Sequence, residues 1–316
     1  MFDTYVTSDI DVLGHDFSEA ALTFNLLERG PVEVRCSVAS FADVALRELS
    51  TNLSIGCRGQ AGAGIGLLQI WPAPPGKLSV DGRPVSAAQG LLAVGDDPIE
   101  VTAIGPTKSI FLTFELARLR GLLTPRAQQL LRGDASRRGV IGFDVERCRE
   151  RLDFAGALLS DASRKPGSGT GEIMAAIADA LEEAAQIRES VRSVPVGTSN
   201  VVPYAIDYMA RHVGEPFVLK DISAATGLSQ RSLIHHFSEV VGITPMAYYK
   251  LQRLNAVRRA LRSADARTRR VLDVAAEFGF YHMGHFAADF RSLFGKLPSE
   301  VLGTAHYAAR SHAITA

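Results

Sequence analysis

The stretch VLKDISAATGLSQRSLIHHF, Val218 to Phe237, reads as two short helices broken at a glycine. Two helices that cross tightly need a small residue at an inward position of the first, and Ser223 supplies it. The tight turn favours a residue tolerant of positive φ, which is Gly227. Ser229 is placed to cap the second helix by accepting a bond from a backbone N–H. Leu233, Phe237 and Val240 recur at i, i+4 and i+7 and form the expected core face. At about 100° per residue the opposite face carries Arg231, Ile234, His235 and Ser238, with Gln230 at the helix start. Arginine can bond guanine O6 and N7 as a fork, isoleucine can sit on a thymine methyl, and histidine can donate to a base or phosphate. A lone helix with such a face is as well read as solvated surface.

The pattern occurs twice. LKDISAATGLSQRSLIHHFSEVVGITP (Leu219–Pro245) aligns with VLDVAAEFGFYHMGHFAADFRSLFGKLP (Val271–Pro298). Leu219, Ile222, Ser223 and Gly227 match Val271, Val274, Ala275 and Gly279, each 52 residues on. Leu233, Phe237, Gly242 and Pro245 match Phe286, Phe290, Gly295 and Pro298, each 53 residues on. Two copies of a helix-turn-helix with one inserted residue make the polar face of the second helix a DNA-reading face rather than plain surface.

Residues 201–303 resemble the DNA-binding domain of the AraC/XylS family of bacterial transcriptional regulators. The resemblance rests on GLSQRSLIHHFSEVVGITPMAYYKLQRLNAVRRAL and VAAEFGFYHMGHFAADFRSLFGKLPSEVL; in the latter Ala275, Gly279-Phe280, Phe286, Phe290, Gly295 and Pro298 sit where the family signature has them. It implies an all-α domain whose two helix-turn-helix units enter successive major grooves of double-stranded promoter DNA, joined by a long helix. PMAYYKLQRLNAVRRALR (Pro245–Arg262) supplies that helix. Its 18 residues span about 27 Å, commensurate with the roughly 34 Å between successive grooves. The resemblance further implies an activator, a small-molecule effector, a homodimer and contact with RNA polymerase. Two departures stand out: Ala288 where the family has Lys or Arg, and Leu297 where it prefers Ser or Thr. The second reading face, Gly284, Ala287, Ala288 and Arg291, has little side chain to reach bases, leaving His282, Met283 and His285 near the helix start as its candidate contacts.

Upstream, RSVPVGTSN (Arg192–Asn200) gathers Pro, Gly, Ser and Asn without apolar periodicity. The expected organisation is an effector and dimerisation domain over 1–192, a linker over 193–200, the DNA-binding domain over 201–303 and a tail over 304–316. Residues 20–115 carry strand signals: VEVRCSV (Val32–Val38) alternates, Asp81-Gly82 marks a hairpin, and GLLQIW, GLLAV, IEVTAI and SIFLTF have strand length. The reading is a β-rich barrel or sandwich, and by resemblance a cupin-like sensor. Residues 116–191 read as helical, through VERCRERLDFAGALLSDA and EIMAAIADALEEAAQIRESV. Ile173, Ile177, Ala180, Ala184, Ile187 and Val191 step by four and three, a seam suited to a helix–helix contact between two copies or to packing on its own domain.

Lys and Arg balance Asp and Glu at 34 each. The balance hides an asymmetry: residues 1–200 hold 20 basic against 25 acidic, and residues 201–316 hold 14 against 9. A basic C-terminal part suits a phosphate-binding module. AGAGIG (Ala61–Gly66) precedes a strand-like run, so it reads as a β-connection and not a phosphate loop. A metal cupin needs several histidines, yet residues 1–200 contain only His15; no metal or cofactor is expected. Cys36, Cys57 and Cys148 are too few and too widely spaced for a disulfide framework, which points to a reducing cytoplasm. Cys148 lies among arginines but is read as inward on an amphipathic helix. Trp71 is a candidate wall of an effector pocket or a core residue. No apolar run approaches the roughly 18 residues of a membrane span, and the acidic N-terminus has no signal-peptide pattern. The alternative class is an enzyme, cupin-type or DNA-repair, tethered to DNA by the same motif; the repair version needs reactive cysteines, and residues 149–316 contain none.

Overall fold

The structure, a computed structural model, describes residues 2–304 except 18, 42, 74, 87–88, 97, 132–138, 143–149, 151–169, 188–200 and 216–218. The described residues form two compact units, one within Met1–Phe24 and Val32–Gly197, the other within Asn25–Pro31 and Thr198–Ala316. The expected linker 193–200, Cys148 and most of VERCRERLDFAGALLSDA lie outside the described residues.

The first unit is built on two antiparallel sheets. One has seven strands in the order β1 (Phe2–Thr7), β3 (Val34–Ser40), β4 (Val44–Thr51), β11 (Thr107–Glu115), β6 (Gly62–Ala73), β9 (Gln89–Gly95) and β12 (Gly139–Gly142). The other runs β2 (Ala21–Leu26), β5 (Ile55–Gln60), β10 (Ile99–Ile104), β7 (Lys77–Val80), β8 (Arg83–Pro84). The Asp81-Gly82 hairpin forms as read: φ is positive at both residues, and Val80 pairs with Arg83. AGAGIG is not a connection. Gly62 to Gly66 lie inside β6, and the pairing with β9 slips in register between Gly62 and Gly66, a bulge that glycines tolerate.

Two further differences have physical reasons. Residues 116–191 are not all helical among those described. Helix α2 (Leu116–Arg120) and a 3-10 turn (Ala127–Leu131) are followed by β12, which finds its partner in β9, Gly139 opposite Leu92, 47 residues back. Helix α3 (Thr170–Ile187) carries the expected stripe, but the stripe is spent inside the unit. Ile173, Ile177, Ala180 and Ala184 are buried with Leu68, Ile70, Leu112 and Phe114 of the seven-stranded sheet and with Leu119 and Leu131. These four side chains thus pack on their own domain, the second of the two roles the spacing allows; the side chains of Ile187 and Val191 lie outside the described residues. The same cover explains why SIFLTF is a continuous run, since Ser109 to Phe114 are buried on both sides of the sheet.

The opposite face of that sheet holds an aromatic cluster and one buried cation. Phe17, Phe24 and Phe111 pack with ring centroids 5.0–6.3 Å apart. Arg47 lies in line with Leu49 and Thr51 on β4 and is almost fully buried. Its guanidinium donates to Asp16 O (2.8 Å), Thr113 Oγ1 (2.9 Å) and Glu19 Oε1 (2.5 Å) and lies 4.6 Å over Phe17. A buried charge is tolerable when it is paired and hydrogen-bonded in this way. Trp71 is 2% exposed and belongs to the core. The thiols of Cys36 and Cys57 are buried and free, and burial pushes both pKa values up, that of Cys36 to about 11.

The second unit is helical: α4 (Val201–Arg211), α5 (Leu219–Thr226), α6 (Gln230–Val241), α7 (Pro245–Ser263), α8 (Val271–Glu277), α9 (Met283–Phe294) and α10 (Pro298–Val301). Residues Asn25–Pro31 cluster with it. Asn255, at the middle of α7 and fully buried, accepts the Leu26 N–H at 3.0 Å and donates to Leu26 O at 2.9 Å. No helix among the described residues is long and apolar enough to cross a membrane.

Candidate nucleic-acid interface

The first helix-turn-helix is α5, a glycine turn and α6. Gly227 takes φ +70°, the conformation that its lack of a Cβ permits. Ser229 caps α6 as expected, its Oγ accepting the Ser232 N–H at 3.1 Å, and Gly242 closes the helix in the left-handed conformation. Leu233 and Phe237 are fully buried, and the third core position is Val241 rather than Val240, which is only half-buried. The buried face therefore steps i, i+4, i+8. Phe237 meets Tyr248 of α7 edge to face at 5.5 Å. Ser223 is half-buried at the crossing with α6.

This packing leaves Gln230, Arg231, Ile234 and His235 exposed on α6, with Ser238 half-buried beside them. Ile234 is an apolar side chain 36% exposed on a polar face. His235 Nε2 lies 3.5 Å from Glu239 Oε1, and His236 Nδ1 3.9 Å from Glu239 Oε2. These are contacts between exposed groups and hold the rings only weakly.

The second copy repeats the frame. α8 buries Val274 and Ala275, Gly279 takes φ +72°, and α9 buries Phe286, Phe290 and Leu293 before Gly295 ends it left-handed. Phe280, Phe286, Phe290 and Phe294 form a continuous run of ring contacts, 4.6–5.6 Å between centroids. The outward residues are His282, Gly284, His285, Ala288 and Arg291, all exposed, with Met283 and Ala287 half-buried. The two faces differ in reach: α6 presents long side chains and α9 presents small ones flanked by His282, His285 and Arg291.

Sequence reasoning overlooked three residues here. Tyr281, directly before α9, is 68% exposed, the largest exposure of any large hydrophobic side chain among those described. Its position beside His282 was the available signal. Lys250 on α7 pairs with Asp289 on α9, Nζ to Oδ2 2.6 Å. Arg253 is the third: its Nε donates to Phe278 O at 2.6 Å, and its guanidinium lies 4.3 Å over Phe280. In an amphipathic helix, lysine and arginine read as solvated charges, so nothing in the periodicity marks these two. Among the described residues no group of three His, Cys, Asp or Glu side chains is placed to hold a metal ion.

Residues 222–304 match the family described as "Helix-turn-helix domain". Over 104 residues the chain is 36% identical to the "Probable thc operon regulatory protein" of Rhodococcus erythropolis, a match covering 33% of this chain and 31% of that protein. Over 97 residues it is 34% identical to the "XylDLEGF operon transcriptional activator 2" of Pseudomonas putida, covering 31% of this chain and 62% of that protein. The match thus spans less than two thirds of the length of either relative. Among solved structures, a probable AraC family transcriptional regulator from Rhodopseudomonas palustris is 34% identical, covering 34% of this chain and 97% of that one with a TM-score of 0.32. Residues 222–304 of this chain are a helix-turn-helix domain similar to those of these operon regulators.

Proposed function

We propose that this chain is a transcriptional regulator that binds double-stranded promoter DNA through α6 and α9, set in successive major grooves, and activates transcription in response to a small-molecule effector. The observation that carries the reading is the exposed face Gln230, Arg231, Ile234 and His235 on α6, held outward by a capped, glycine-phased helix whose other face is fully buried. That face pairs forked and single donors with an apolar side chain, which is the chemistry of direct base readout in the major groove. The second unit supplies a repeat of the same frame on one chain, so one molecule engages two grooves without needing a partner copy. Activation is carried over from a relative named as an operon transcriptional activator, RNA polymerase contact is what the AraC/XylS resemblance implies, and the effector-responsive role falls to the β-rich first unit.

The test is selection of bound fragments from random duplex DNA, followed by titration of the recovered site. Recovery of a bipartite site with about one helical turn between half-sites supports the proposal. Equal binding to every duplex overturns it. Metabolite screening by thermal shift, repeated with the recovered site, then tests whether a ligand of the first unit changes DNA affinity.

A further inference from the structure

The linking helix α7 does more than span a distance. One turn of it grips two backbone segments at once. Tyr249 Oη lies 2.5 Å from His212 O and 2.6 Å from Glu215 O, the carbonyls just beyond α4, and donates its proton to this pair. Four residues on, Arg253 Nε donates to Phe278 O in the turn of the second helix-turn-helix. The guanidinium carbon lies over two rings, 4.3 Å from the Phe280 centroid and 5.4 Å from the Tyr249 centroid. Planar stacking with one directed hydrogen bond is a geometry that arginine supplies and lysine does not.

The turn is shaped for this clasp. A Cβ on Gly279 would lie 2.5 Å from Arg253 Nη2 and 3.8 Å from Gly214 O, so the guanidinium occupies the space a side chain would need. Gly214 in turn comes so close that its own Cβ would lie 2.9 Å from Glu277 O. The segment leading into the first helix-turn-helix and the turn of the second are therefore in direct backbone contact, and Arg253 closes over them. Lys250, one residue after Tyr249, adds the ion pair to Asp289 on α9 itself.

We infer that Arg253 is a positioning residue that fixes the separation and phase of the two recognition helices, and thereby makes the protein specific for the spacing between its two half-sites. This rests on the DNA-binding reading above. The contacts that hold Arg253 are to Phe278 O and to the Phe280 and Tyr249 rings, away from the exposed reading residues of α6 and α9. Arg253 acts through the turn Phe278–Gly279–Phe280, which sets where α9 begins. A rigid pair of helices accepts one spacing, because each base pair inserted turns the far half-site by about 34° along a helix of 10.5 base pairs per turn.

The experiment measures the affinity of the full chain for its selected site and for the same site with one base pair added or removed between half-sites. Wild type is expected to lose about thirty-fold or more on each altered site, the loss of one half-site's base contacts. Arg253→Ala is expected to bind the original site more weakly but to discriminate among the three spacings by no more than about threefold, and Arg253→Lys to stay closer to alanine than to wild type. Gly279→Ala, whose Cβ strikes Arg253 Nη2, is expected to relax the same ratio, and keeps the test open if alanine at 253 unfolds the unit. Wild type that binds its site but tolerates all three spacings overturns the inference. So does a folded Arg253 or Gly279 variant with the wild-type spacing ratio. A chain that binds no duplex at all defeats the DNA reading instead and leaves the clasp with nothing to position.

Discussion

At position 231 the competing roles are base contact and phosphate contact, and they separate on specificity. Arg231 is exposed near the start of α6. A bidentate contact to guanine is worth roughly 1–3 kcal/mol of discrimination, so Arg231→Ala should lose that much on the selected site and relax preference at one base pair. An equal loss on random duplex assigns Arg231 to the phosphates. Glu19 gives a test of the other unit. Burial alone raises its carboxyl pKa, but the hydrogen bond from Thr113 and the charge and hydrogen bond of Arg47 outweigh burial and hold it below the ordinary range. A group with a depressed folded pKa contributes stability that is present above its unfolded pKa of about 4.3 and is lost as pH falls through the folded value. Glu19→Gln should therefore flatten the fall in urea midpoint between about pH 5 and pH 3, while lowering the midpoint at pH 7. A variant with the wild-type slope and a wild-type midpoint shows that the pair contributes nothing.

At the scale of elements, the two helix-turn-helix units are legible because every feature that makes them is local. Gly227 and Gly279 mark the turns, Ser229 marks a cap, and Leu233, Phe237, Phe286 and Phe290 mark the buried faces. What the sequence leaves open is what covers a buried face. The stripe Ile173–Ala184 has the spacing of a seam, and only the fold shows that Leu68, Ile70 and Leu112 cover it. β12 is hidden for a similar reason: four residues, Gly139–Gly142, become a strand because β9 lies beside them, not through propensity. The slip from Val240 to Val241 is the ordinary uncertainty of a helical pattern one residue wide. Arg253 is the deepest miss, since a charge stacked on Phe280 has no period. Comparing the two reading faces gives a further prediction. α6 offers Arg231, Ile234 and His235, whereas α9 offers Gly284, Ala287 and Ala288 with His282, His285 and Arg291 at its ends. Mismatches under α6 should each cost about 1–3 kcal/mol and those under α9 clearly less. A stricter half-site under α9 reverses the ranking and points to Tyr281 and the two histidines as readers.

At the scale of the whole molecule the charge is zero, 34 basic against 34 acidic side chains, and a neutral protein has no general attraction for DNA. Binding must then come from the local field of the second unit, since residues 201–316 carry 14 basic and 9 acidic side chains and residues 1–200 carry 20 and 25. Local phosphate contacts release condensed counterions whatever the net charge of the chain, and each contributes a slope of about −0.9 to log affinity against log salt. Two helix-turn-helix units with about three phosphate contacts each give a slope near −5, and affinity falls about a thousandfold between 50 and 200 mM salt. At 0.1 M salt the Debye length is about 10 Å, so charges farther than that from the phosphates are largely screened and alter the absolute affinity more than the slope. Arg231→Ala should leave the slope nearly unchanged if it reads a base, and reduce it by about 1 if it neutralises a phosphate. Anisotropy titrations at four or five salt concentrations measure this directly. A slope near −1 with tight binding contradicts docking by two units, because one phosphate contact cannot orient two helices in two grooves.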